Sequence, residues 1–187
     1  MQPEVLLDAD QVLFDFVRPY LHAVEVVTGR HYEPQEFELW DVRASLKLTS
    51  KEDRAVSALV KRKGFCYTLP VIPGAKEGVE KLRRVAEIHI VTSPWYGPYW
   101  ESERFASLKD HFGFGRKEVI QTSEKHIIDG DIIIDDKMTT LKRWLDRRPH
   151  KVAVLWDSLH NRLDHDPRIQ RHSDWDQLIE TYFRQAL

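Results

Sequence analysis

The chain predicts an α/β protein of the doubly wound, Rossmann-like kind: a five-stranded, mostly parallel sheet with helices on both faces and a small helical cap inserted after the first strand. Three observations carry that expectation. Short apolar runs alternate with amphipathic stretches from about residue 73 onward. One more apolar run, Val5-Leu6-Leu7, stands alone near the start. The segment between them, about 15–72, has helical spacing and no strong strand signal.

Taken in order, Val5–Leu7 is the first strand. From about Asp15 to Thr28, Phe16, Val17, Tyr20, Leu21, Val24 and Val27 recur at helical spacing, and Gly29 is placed to cap that helix. Pro34 to about Arg43 and Ser50 to Lys63 give two further helical stretches, the second opening Ser50-Lys51-Glu52-Asp53 in an N-capping pattern. Pro70, Pro73 and Gly74 close the insertion. A helix follows over about Ala75–Arg84, then a strand Ile88–Val91, a helix Glu101–Phe112 and a short strand Val119-Ile120. Ile132–Ile134 is the next strand, Thr139–Asp146 a helix, Val152–Leu155 the last strand and Trp175–Arg184 the closing helix. Residues 1–14 and 73–187 are thus expected to form the core, with 15–72 as a cap over its site.

Composition narrows the function classes. With 187 residues, 42% of them hydrophobic, the chain suffices for one domain with a real core. A net charge of -2 with acids and bases interspersed offers no basic track for duplex nucleic acid and no polybasic membrane patch. A small soluble ligand is the default. The single cysteine, Cys66, has no partner for an internal disulfide and reads as a buried small hydrophobe. No apolar run approaches the roughly 18 residues of a membrane span, and the N-terminus lacks a secretory pattern, so the expected compartment is the cytoplasm.

Chemistry concentrates where strands end. Asp8-Ala9-Asp10 follows the first strand and Asp135-Asp136 follows Ile132–Ile134. Open parallel sheets bind ligands beyond the carboxyl ends of their strands. If these two strands are neighbours, the carboxylates converge and their repulsion calls for a cation; oxygen-only ligation favours Mg²⁺. Asp8 then reads as a nucleophile toward a phosphate ester. A dianionic phosphate 4 Å from a carboxylate costs roughly 8 kcal/mol at an effective dielectric near 20, so both the metal and an ammonium, offered by Lys125, are needed. Asp10 suits a general acid that protonates the leaving oxygen and later deprotonates water, provided a turn after Asp8 brings both side chains to one cavity. The strand Ile88–Val91 ends in Thr92-Ser93-Pro94, whose hydroxyls and amides can cradle phosphate oxygens, with Thr92 the preferred contact.

Other clusters are blander. His160, His165 and His172 interleave with Asp164 and Asp166 as polar loops do, without zinc spacing. Trp95, Tyr96, Tyr99 and Trp100 read as a packed loop under the cap, the sharper alternatives being a substrate wall or a homodimer contact.

The ordered set of Asp8-Ala9-Asp10, Thr92, Lys125 and Asp135-Asp136 resembles the four motifs of the haloacid dehalogenase-like phosphohydrolases. Within that superfamily the chain is most similar to the 5'(3')-deoxyribonucleotidases, on LLDADQVLFDF, LPVIPGAKEGVEKL, IVTSP and QTSEKHIIDGDIIIDD. That resemblance implies a Mg²⁺-dependent phosphomonoesterase hydrolysing nucleoside or deoxynucleoside monophosphates through an aspartyl phosphate on Asp8, with Asp10 as general acid and base. It further implies that Asp8, the backbone carbonyl of Asp10 and Asp135 or Asp136 bind the metal, Asp136 the more directly. Thr92, Ser93 and Lys125 would hold phosphate, and Phe16, Trp40 and Phe65 would stack the base, a contact worth about 1–3 kcal/mol. Gln11 stands where many relatives have glycine, and Ser123 where animal nucleotidases carry a phosphate-side arginine. The alternatives are a phosphatase of another small ester, a non-catalytic phosphate binder, or a signalling receiver. Receivers place their paired acids first, the reverse of the order here.

Overall fold

A computed structural model describes residues 2–36, 45–95 and 97–184. Its elements in chain order are β1 Glu4–Leu7, α1 Val17–Thr28, α2 Ser50–Val60, α3 Ala75–Leu82, β2 Glu87–Thr92, α4 Trp100–Phe112, β3 Val119–Gln121, β4 Ile132–Asp135, α5 Met138–Arg147, β5 Val152–Trp156, β6 Gln170–His172 and α6 Trp175–Phe183. The sheet runs β3-β2-β1-β4-β5-β6, and every neighbouring pair is parallel. It has six strands where five were expected. The extra one, Gln170-Arg171-His172, contains no apolar residue and pairs only along the edge of β5, so hydrophobic patterning carries no trace of it.

The central strands are apolar on both faces because helices cover both faces. Val5, Leu7, Ile132 and Ile134 join one apolar cluster with residues of α1, α2, α3 and α6, while Leu6 and Ile133 turn to the other side, against Met138, Leu141, Trp144 and Leu145 of α5. Strand alternation is thus read out directly as two layers of core. Gly78 allows α3 and α6 to close up, since a Cβ there would lie 2.3 Å from the Trp175 ring.

Between β1 and α3 the described residues contribute no strand to the sheet. Helix α1 ends on Gly29 at φ +69°, as its sequence suggests, and packs along α2. The cap of α2 is Thr49, one residue before the expected Ser50: Thr49 Oγ1 accepts from Glu52 N–H at 3.2 Å while Glu52 Oε2 accepts from Thr49 N–H at 2.7 Å. Pro34–Glu36 forms a single 3-10 turn, and the rest of the stretch expected to be helical, 37–43, lies outside the described residues. Tyr20, Val24, Leu46, Val56 and Val60 belong to the same apolar cluster as the sheet, so the inserted helices share its core. No described helix is long and apolar enough to cross a membrane.

Candidate active site

The order β3-β2-β1-β4-β5-β6 reverses direction between β1 and β4, which makes the crevice beyond those two strands the ligand site of such a sheet. Leu7 pairs with Ile134, and Asp8 N–H donates to the Ile134 carbonyl at 2.9 Å. The acids following each strand therefore meet. Carboxylate oxygens of Asp8, Asp135 and Asp136, all buried, lie within 4.8 Å of one another. Lys125, on a single turn ahead of β4, is buried among them, with its Nζ 2.6 Å from Asp8 Oδ2 and donating to Asp135 Oδ2 at 2.8 Å. Asp8 Oδ1 accepts from Ala9 N–H at 2.7 Å and Asp135 Oδ1 from Lys137 N–H at 2.8 Å, so backbone fixes both side chains.

Three carboxylates against one ammonium leave the cluster negative. Burial pushes Asp8 well above the ordinary carboxylate range, and Asp135, Asp136 and Asp10 add to this while Lys125 opposes it. Asp135 is raised for the same first reason. Burial disfavours the Lys125 ammonium, but Asp135 and Asp8 more than offset it and hold the group above its usual value. Hard oxygen donors, burial and excess negative charge suit a small divalent cation.

The chain turns sharply after Asp8. Ala9 carbonyl accepts from Leu13 and Phe14 N–H, both at 2.9 Å, and Gln11 N–H donates to Phe14 carbonyl at 2.7 Å. Asp8 and Asp10 consequently line one cavity. Gln11 adopts φ +57°, a conformation natural to glycine, yet its Oε1 accepts from Phe16 N–H at 2.7 Å and Val17 N–H at 3.2 Å, capping α1. Asp10 meets Arg104 of α4, an arginine with no exposed surface. Burial pushes the Asp10 carboxyl up, and the guanidinium only partly counters it.

Asp136 is braced from the loop after β5. His160 Nε2 lies 2.8 Å from Asp136 Oδ2, and Asn161 Nδ2 donates to the carbonyls of Asp136 and Trp156, both at 2.8 Å. Burial disfavours the His160 imidazolium, but Asp136 outweighs that and raises its pKa.

Above the acids opens a cavity of about 390 Å³, within the range of small-molecule sites. Phe16, Tyr20, Trp95 and Trp100 form one wall, with Phe16 5.6 Å from Trp95 and 6.0 Å from Trp100 between ring centroids. Ser93, Lys137, Thr140 and His160 also line it. The half-buried Lys137 is a second ammonium there, its pKa pushed down by burial. Among the predicted contacts, Ser93 and Phe16 reach the cavity. Thr92 does not line it: its side chain is fully buried and its hydroxyl lacks a partner among the described groups. Phe65 sits behind the wall, stacked on Trp100 at 6.4 Å. Trp40 and Tyr96 lie outside the described residues. Trp95 and Trp100 both line the cavity. Of the histidine-rich loop only His160 arrives; His165 is exposed, His172 packs on Tyr182, and neither joins a metal-ligating cluster among the described residues.

Arg104, Asn161, Lys137 and the capping role of Gln11 escape sequence reasoning. For Arg104 one signal exists, its position four residues after Trp100 and four before Leu108 on the buried face of α4.

A switch-point crevice holding Asp8, Asp10, Asp135 and Asp136 around Lys125 defines a haloacid dehalogenase-like hydrolase. Solved structures agree on the fold: a haloacid dehalogenase-like hydrolase from Streptococcus pneumoniae superposes with a TM-score of 0.65 at 12% identity, over 97% of this chain and 98% of that one. A HAD-hydrolase from Bacillus subtilis, described as bound to magnesium, gives 0.56 at 16% identity over 96% and 98%. The sequence model of the family "5' nucleotidase, deoxy (Pyrimidine), cytosolic type C protein" matches residues 2–185, and the chain belongs to that family. A 5'(3')-deoxyribonucleotidase of Bacillus subtilis is 23% identical over 179 residues, covering 95% of this chain and 97% of the relative. A Bordetella pertussis relative assigned to the same activity is 30% identical over 183 residues, covering 91% and 90%. The protein is accordingly a phosphoric monoester hydrolase.

Proposed function

We propose that it hydrolyses nucleoside or deoxynucleoside monophosphates in two steps through a phosphoryl group carried on Asp8. The observation that supports this best is the continuity of one cavity from the Asp8, Asp10 and Lys125 side chains to the wall of Phe16, Trp95 and Trp100. Such a cavity seats a phosphate at one end and a flat base at the other.

In the first step an Asp8 carboxylate oxygen attacks phosphorus, the ester P–O bond breaks, and Asp10 gives its proton to the leaving sugar oxygen. In the second, Asp10 takes a proton from water as the water oxygen attacks the same phosphorus, releasing inorganic phosphate and restoring Asp8. Lys125 holds charge on the phosphoryl oxygens, joined by Ser93 and the Lys137 ammonium at the cavity. Asp8, Asp136 and the backbone carbonyl of Asp10 would hold Mg²⁺, whose chemistry when bound is to offset the negative charge between carboxylate and phosphate. The acidic cluster supports this metal, as does magnesium in a relative of the same fold. A cytoplasmic enzyme is in keeping with the free buried thiol of Cys66.

Phosphate release from deoxynucleoside 5'- and 3'-monophosphates, with Mg²⁺ and with chelator, tests the reading. Asp8→Asn should abolish turnover while retaining the thermal melt. Undiminished turnover in that variant removes Asp8 as nucleophile, and strong hydrolysis of sugar phosphates with none of nucleotides moves the substrate assignment elsewhere.

A further inference from the structure

Arg104 is the least expected residue near the site. It has no exposed surface, sits between the rings of Phe14 and Trp100 at 5.0 and 5.3 Å, and spends its Nη2 on Oδ1 of Asp10. Its Nε and Nη1 are buried without a hydrogen-bond partner among the described groups. A fully buried guanidinium with one carboxylate partner is an expensive arrangement, and apolar residues of similar size commonly replace such pairs without loss of stability. Its neighbour Glu103 shows what a structural role on this helix looks like. That side chain accepts from Gly64 N–H at 2.6 Å and Tyr67 N–H at 3.3 Å, tying the turn after α2 to α4.

We propose that Arg104 is a positioning residue for the general acid, which assigns the two oxygens of Asp10 to different tasks. A guanidinium only donates hydrogen bonds. Oδ1 accepts from Arg104, a bond best made by a carbonyl or carboxylate oxygen, which places the transferable proton on Oδ2. Asp10 is part of the cavity lining and a quarter of its side chain is exposed, whereas Arg104 is wholly enclosed behind it. The oxygen left to face the cavity is the one that carries the proton. From there it passes to the leaving oxygen as the P–O bond breaks, and the same oxygen takes a proton from water in the second step. The single charge-assisted bond from Nη2 also tethers that edge of the carboxyl group on the enclosed side, away from the cavity. This inference rests on Asp10 being the acid and base of the proposed reaction.

The test separates proton delivery from mere packing by varying the leaving group. Phosphorylation of the enzyme is followed in the burst phase with a deoxynucleoside monophosphate, whose alkoxide needs a proton, and with p-nitrophenyl phosphate, whose phenolate does not. Arg104→Met should slow the nucleotide burst about 10²-fold, the low end of general acid catalysis, and the nitrophenolate burst by less than about threefold. In an Asp10→Asn background, Arg104→Met should slow the nucleotide burst by no more than about twofold further, because residues acting as a unit are not additive. Equal losses on both substrates at an unchanged melting temperature, or losses that multiply with Asp10→Asn, overturn the proposal. Should Arg104→Met not fold, Arg104→Lys takes its place: it should show the same split at about tenfold, and no split overturns the proposal. If Asp10→Asn leaves the nucleotide burst intact while Asp8→Asn abolishes it, the reading of Asp10 fails and this inference with it. If Asp10→Asn slows it and Arg104→Met does not, only the role of Arg104 fails.

Discussion

Gln11 combines a cost and a gain at one residue, and the two can be separated. Its backbone is left-handed at φ +57°, while Oε1 caps α1 through Phe16 and Val17 N–H. Gln11→Ala keeps the left-handed backbone and discards the cap. Losing an N-terminal cap costs about 1 kcal/mol, with a range of roughly 0.5–2. Both bonds are partly buried and one is short, which places the expected loss at about 1–1.5 kcal/mol. For a chain of this length that lowers the melting temperature by about 2–6 °C. Gln11→Gly discards the same cap but recovers roughly 1–2 kcal/mol of left-handed strain, less about 0.4–1 kcal/mol for the greater freedom of glycine in the unfolded chain. The glycine variant should therefore melt above the alanine variant, by about 1 kcal/mol or 2–4 °C. Calorimetric or circular dichroism melts of the three proteins in chelator measure the order directly. Alanine melting with the wild type, or glycine melting below alanine, would refute the balance of cap against strain.

Three further outcomes follow from the same geometry. His160→Ala removes the side chain 2.8 Å from Asp136 Oδ2 and should weaken Mg²⁺ binding about 10–100-fold, measured by calorimetric titration; unchanged affinity would mean that His160 does not orient Asp136. Burial raises Asp8, Asp10 and Asp135 above the ordinary 3.8, so the metal-free folded state binds more protons than the unfolded chain above that pH. Their contribution to stability thus falls as pH rises through the folded values, and the gain in melting temperature on adding Mg²⁺ should grow as pH rises above the ordinary carboxylate value; a gain that shrinks over that rise contradicts the charge balance argued for the cluster. Burial pushes the Cys66 thiol up to about 12, so iodoacetamide at mildly alkaline pH should label it only after unfolding, and labelling of the native protein would show that the α2–α3 connection opens.

Legibility followed the kind of signal each element carries. The strands Val5–Leu7 and Ile132–Ile134 were readable because both faces of a parallel sheet exclude water and leave unbroken apolar runs, and Ile88–Val91 because only His89 interrupts one. Strand β6 was not, because an edge strand of Gln, Arg and His is held by backbone hydrogen bonds that any residue can make. The α2 cap was displaced by one residue, from Ser50 to Thr49, since both are good caps and only the reciprocal bonds with Glu52 distinguish them. Thr92 and Ser93 were likewise adjacent candidates, and only Ser93 reaches the cavity.

By itself, then, the chain determined the alternation of strand and helix, the strand-end placement of Asp8, Asp10, Asp135 and Asp136, and the choice of Lys125 by its order among them. Those are local properties: periodicity and position relative to a strand end survive in one dimension. Which side of β1 receives β4, which oxygen of Asp10 faces Arg104, and which histidine meets Asp136 depend on residues 127, 94 and 24 positions apart, respectively, being packed together. Such contacts are set by how buried surfaces fit and how buried charges find partners, and only the folded arrangement decides them.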